Sequence, residues 1–225
     1  MIVYPFGVEL PVHDDNGEVS RPVDDVRAMA VVVQANLVQL KIAECKRSGT
    51  PASEHAIDVQ SPGAVRRFRE TLIELEFLKT APATHIHLCL RETWGQCCMM
   101  RWAFSMDSKE SFDFSTLSPK SEVRCRTVLE AKHAELHALL WALRFEQHRR
   151  SAPSAPHSEL SEEDRELAKR IPADAFGTPV AECPDDELVL ASCEHAGMLG
   201  ALRWIMDSRR EWGEAGIMDV DERPF

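Results

Sequence analysis

Thr84-His85-Ile86-His87-Leu88-Cys89-Leu90-Arg91-Glu92-Thr93-Trp94-Gly95-Gln96-Cys97-Cys98-Met99-Met100-Arg101-Trp102-Ala103-Phe104-Ser105-Met106 is the stretch on which the fold class turns. Read at period two, Ile86, Leu88 and Leu90 share one face of a strand while His85, His87, Cys89 and Arg91 share the other. Thr93-Trp94-Gly95 then reads as a turn, and Cys98, Met100, Trp102, Phe104 and Met106 as the apolar face of a returning strand. After a second turn at Asp107-Ser108-Lys109-Glu110, Phe112 and Phe114 supply a third strand. The expectation is a three-stranded antiparallel meander over about 84–115. So few strands do not hold together alone, and a helix layer must cover their apolar face.

The flanking sequence offers that layer. Pro22 opens a helix with Asp24 and Asp25 in its first turn, where negative charge suits the dipole. Its seam is Val26, Met29, Val33, Leu37 and Leu40, and Gly49 followed by Pro51 ends it. Ahead of it the chain reads as extended, with Asp14-Asp15-Asn16-Gly17 as a hairpin turn between Val8–Val12 and Val19. Ser61-Pro62 opens a second helix carrying Val65, Phe68, Leu72, Leu75 and Phe77 and ending near Lys79. Ser118-Pro119 opens a third of roughly 30 residues, running to about Arg150.

Ser151 to His157 is rich in small residues and prolines and reads as a linker, 151–160. Ser161-Glu162-Glu163-Asp164 resembles a capping box opening a short helix that stops before Pro172. Pro184, followed by Asp185, Asp186 and Glu187, opens a last long helix ending at Gly213. The fold class expected is therefore α+β and predominantly α-helical, a helical bundle with the small meander packed on it. A main helical domain occupies 1–150 and a C-terminal helical region 161–225. One phrase recurs: Leu139-Leu140-Trp141-Ala142-Leu143-Arg144-Phe145 is similar to Met198-Leu199-Gly200-Ala201-Leu202-Arg203-Trp204. The flanks do not stay in register, so the reading is two helices meeting the same packing demand.

Composition narrows the function classes. Acidic residues outnumber Lys plus Arg by 37 to 26, for a formal charge of −11, which repels phosphate backbones and disfavours nucleic acid as a partner. Arginines do gather at Arg66, Arg67 and Arg69, at Arg144, Arg149 and Arg150, and at Arg203, Arg209 and Arg210. For the latter two groups the helix C-terminal dipole is the simpler explanation. The longest unbroken apolar run, Met29 to Val33, stops at Gln34, so no membrane span is expected. The N-terminal residues lack the basic flank and apolar stretch of a secretory signal, and the expected location is the cytoplasm. Seven cysteines with no C-x-x-C pair read as reduced thiols and not as a zinc knuckle.

Two sets of side chains have the chemistry of ligands. Glu130-x-x-His133-x-x-x-His137 places a carboxylate and two imidazoles along one flank of the third helix, and His195 falls on the seam of the last. Such a set would hold a divalent transition metal, Zn, Fe or Mn, if the two long helices crossed near their middles. A di-metal bundle site needs the Glu-x-x-His motif twice, and it occurs here once, so a core histidine paired with its neighbours is the plainer reading. His85, His87 and Cys89 form a weaker set on the strand face, with Cys97 across the turn. Arg126-x6-His133 resembles the Arg-His spacing of helical HEPN-type ribonucleases in those two residues, with Thr127 standing where that family carries a polar amide or acid. No phosphate-binding Gly loop, Gly-x-Ser-x-Gly elbow or His-Glu-x-x-His is present.

The sequence thus points first to an acidic helical accessory, inhibitory or regulatory factor that binds a basic surface on another protein. A metal-dependent enzyme built on Glu130, His133, His137 and His195 is the alternative, and a DNA-binding regulator the third.

Overall fold

Pro22 lacks an N–H and lies just outside the first helix, while the left-handed Gly49 (φ 69°) closes the other end by donating its N–H to the Cys45 carbonyl. The helix between them, α1, is Val23–Ser48, as the cap signals imply. The computed structural model describes residues 21–50, 66–106, 113–151, 174–175 and 178–212. Among the described residues there follow α2 (Leu75–Thr80), α3 (Ala83–Ala103), α4 (Arg126–Ser151) and α5 (Asp185–Met206).

The expected meander is not there. Residues 83–103 form one continuous helix, and the β pairing among the described residues is a two-residue antiparallel rung joining Asp174–Ala175 to Thr178–Pro179. The error has a physical cause. Helix α3 is central, with α1 packed on one side and α5 on the other. Its buried residues, Ile86, Thr93, Gly95, Cys97, Met99, Met100 and Ala103, therefore spread around the cylinder and leave no single 3.6-residue stripe. Gly95 is not a turn but a mid-helix residue at a close helix crossing.

Other boundaries move as well. The second expected helix is interrupted: a 3-10 turn at Arg69–Thr71 gives way to extended backbone at Leu72 before α2 begins. Asn36, buried on α1, holds that break by donating to the Thr71 carbonyl (2.9 Å) and accepting from the Ile73 N–H (3.0 Å). Helix α4 starts at Arg126, not at Ser118-Pro119, and α5 ends at Met206, not Gly213. The hairpin expected over 8–19 and the short helix expected over 161–171 lie outside the described residues. By length and composition α1 could cross a bilayer, but most of it is buried against the rest of the bundle.

One core cluster draws on helices from both halves of the chain. Val26, Val33 and Leu37 of α1, Met99 and Met100 of α3, Leu129 and Leu140 of α4, and Leu199, Leu202 and Trp204 of α5 form one cluster. At its centre α3 and α5 cross antiparallel with their backbones touching. A Cβ on Gly95 would lie 2.0 Å from the Glu194 carbonyl oxygen, and one on Gly197 would lie 2.0 Å from that of Glu92.

That reciprocity extends along the described helices. Pro82, Glu92, Gly95, Arg101 and Trp102 of the α3 region recur as Pro184, Glu194, Gly197, Arg203 and Trp204, at a constant offset of about 100 residues. At nearly the same offset Val26, Val33, Leu37, Leu40, Arg47 and Ser48 of α1 correspond to Leu129, Leu136, Leu140, Leu143, Arg150 and Ser151 of α4. Both outer helices are 26 residues long.

Equivalent side chains make equivalent contacts. Arg47 donates to the carbonyls of Leu78, Lys79 and Ala81, and Arg150 to those of Val180, Ala181 and Cys183. Arg21 donates through Nε to the Trp204 carbonyl (2.7 Å) and lies over that indole. Arg124 does the same to Trp102 (2.7 Å). Among the described residues the helix pairs α1–α3 and α4–α5 are equivalent, related by an approximate two-fold through the Gly95/Gly197 crossing. The phrase shared by 139–145 and 198–204 joins α4 to α5 and is not this repeat.

Candidate functional site

The histidines read as ligands are held by other partners. His133 is buried on α4, and its Nε2 accepts from Nε of Arg203 on α5 (3.1 Å). Burial, the Arg203 guanidinium and the neighbouring His137 push its pKa down to about 3, so it is neutral and acts as an acceptor. Its ring stacks on that of His137 with centroids 5.9 Å apart. Glu130 is engaged by Arg126 within the same helix (2.9 Å). His195 is buried, with Nδ1 2.8 Å from the Ala191 carbonyl of its own helix, and the charges that act on it are Lys132 and Glu135. The fold thus brings His133 and His137 together, but pairs Glu130 and His195 elsewhere.

On α3 the weaker set disperses. Alternate residues that share a strand face lie about 200° apart around a helix. His85 is exposed, His87 bonds Glu44 of α1 (2.6 Å), and Cys89 is half-buried with its thiol pKa raised by burial and then by the charge of Glu92. Among the described residues no group of three His, Cys, Asp or Glu side chains is placed to hold a metal ion.

Among the described residues a groove of about 590 Å³ lies between α4 and α5, a size suited to a small organic group. Arg144 and Gln147 of α4 line one wall, and Leu188, Cys193 and Ala196 of α5 line the other. Glu92 of α3 also lines the groove.

The approximate two-fold explains why the groove is open. In the α1–α3 half, three side-chain rungs bridge the corresponding space. Glu44 bonds His87, the Lys41 ammonium stands over the Trp94 ring (4.9 Å to its centroid), and Arg91 faces Glu194 (3.6 Å). The equivalent pairs in the α4–α5 half are Gln147 with Val189, Arg144 with Ala196, and Cys193 with Glu92. Ala196 stands where the other half has an indole, and Cys193 stands where it has a guanidinium to meet the carboxylate.

Two charged groups are left facing the groove without an ion pair among the described residues. Burial raises the Glu92 carboxyl pKa. Burial lowers that of the Arg144 guanidinium, with Cys193 opposing. Glu194, the equivalent of Glu92, is raised by burial too, but Arg91 opposes the shift. The Cys193 thiol is pushed up by burial and by Glu92, so it stays protonated and is a poor nucleophile.

No protein-family model matches this sequence, and no curated protein or solved structure is significantly similar to it. Sequence reading missed the groove because its residues lie on three helices, one of them misread as strands. The signal that finds it is the offset repeat, since comparing equivalent positions reveals which bridging side chains have been lost.

Proposed function

We propose that this protein works by binding, and that the α4–α5 groove receives a positively charged group of its partner. The observation that carries the reading is Glu92. It lines the groove, its backbone is fixed against Gly197 at the helix crossing, and it lacks the guanidinium that its counterpart Glu194 has. A partly buried carboxylate with no ion pair gains from a cation that enters the groove beside it. The wider field points the same way, because a formal charge of −11 raises the local concentration of cations. A basic surface on another protein presents such groups, and so does a small organic amine.

The test is a thermal-shift screen at low ionic strength with primary amines and Lys- or Arg-rich peptides. Cationic ligands should raise the melting temperature of the wild type, and the shift should be lost in Glu92→Gln. A screen in which no cation stabilises the protein, or in which Glu92→Gln responds as the wild type does, would refute the reading.

A further inference from the structure

The approximate two-fold does more than locate the groove: it shows which side chains occupy the corresponding space in the other half. At the corresponding place in the other half sit an indole, that of Trp94, beneath the Lys41 ammonium, and a guanidinium, that of Arg91, facing Glu194. In the groove half Ala196 and Cys193 stand at those positions. The missing matter is therefore one flat aromatic ring and one cation, a short distance apart. We propose that the groove binds an arylalkylamine, a planar aromatic ring carrying a basic nitrogen on a short chain, with the ring in the place of Trp94 and the nitrogen in the place of the Arg91 guanidinium.

Each part of such a ligand meets a group suited to it. Arg144 stands where Lys41 does and stacks on the ring face as a cation on a π-system. Leu188 and Ala196 give the ring an apolar bed. The ammonium reaches Glu92 as Arg91 reaches Glu194. Binding is non-covalent, because the Cys193 thiol that shares the wall is kept protonated by its surroundings. The inference rests on the groove being a cation site and adds to it the ring and its orientation.

The experiment uses the full chain and three probes in isothermal titration calorimetry: tryptamine, indole without its amine, and hexylamine without a ring. Tryptamine should bind with one equivalent and at least tenfold more tightly than either fragment. Ala196→Trp, which supplies the ring in place, should weaken tryptamine at least tenfold more than it weakens hexylamine. Because that variant needs a precise fit, Ala196→Leu serves beside it, and it should shift the ratio of the two affinities in the same direction. Tryptamine binding no tighter than hexylamine would overturn the arylalkylamine assignment while the cation site stood. Failure of both amines to bind would overturn both.

Discussion

Replacing Gly95 by Ala tests the architecture at its tightest point. On an exposed helix the change stabilises by about 1 kcal/mol, since Ala is the better helix former. Here the new methyl would sit 2.0 Å from the Glu194 carbonyl oxygen, about 1.4 Å short of ordinary contact, and the obstacle is backbone, which cannot rotate away. Helices α3 and α5 would have to separate by roughly that amount along the seam that carries Met99, Met100, Leu199 and Leu202. Overpacking costs about 1–3 kcal/mol, and an overlap this deep against backbone lies at the upper end of that range, so a net loss of about 2 kcal/mol is expected after the gain in propensity.

Gly197→Ala meets the same obstacle at Glu92 and should lose a similar amount. The double variant should lose less than the sum, because a separation forced by one methyl makes room for the other. Urea denaturation of the two single variants and the double variant measures all three quantities. Gly49→Ala is the control, since it has open space around its Cβ and should show only the strain of φ 69°, about 1–2 kcal/mol. Gly95→Ala as stable as the wild type, or two fully additive losses, would refute the close crossing and with it the two-fold on which the groove is read.

Two other outcomes follow from buried polar groups. The His133 imidazole, depressed to about 3, stays unprotonated in the folded state while the unfolded chain takes up a proton near its ordinary value of 6.5. Stability should therefore fall as pH drops from about 6.5 toward 3, by up to ~1.4 kcal/mol per pH unit from this group. His133→Gln should lose that share of the slope in urea melts between about pH 7 and pH 4.5, and equal slopes would count against a buried neutral imidazole. Arg21 donates to the carbonyls of Trp204, Asp207 and Arg210 and stacks on the Trp204 indole, so Arg21→Ala should cost about 2–3 kcal/mol. Arg21→Lys should recover little of the loss, because an ammonium cannot span three carbonyls; full recovery in a thermal melt would show that charge alone matters.

Local chemistry decided part of this fold without help from the rest of the chain. Pro22 and Gly49 delimit α1, and Pro184 with its acidic first turn places the start of α5, because caps act within a few residues of themselves. The apolar seam of α1 was legible for the same reason: Val26, Val33, Leu37 and Leu40 lie at helical spacing and are all buried. Tertiary structure decided the rest. Helix α3 is covered from two sides, so its apolar residues carry no single period, and Ile86, Leu88 and Leu90 imitated a strand.

The fate of each polar group depended on what faced it. His133 finds Arg203, His87 finds Glu44, and Glu92 finds an open groove, none of which is encoded in the spacing along one helix. The repeat was present in the sequence throughout as Glu-x-x-Gly followed by Arg-Trp, at 92–102 and 194–204. Its meaning became visible only when Gly95 and Gly197 were seen against each other's helices. A glycine in a helix is a local weakness, and only the backbone that packs on it in three dimensions turns it into the pivot of the fold.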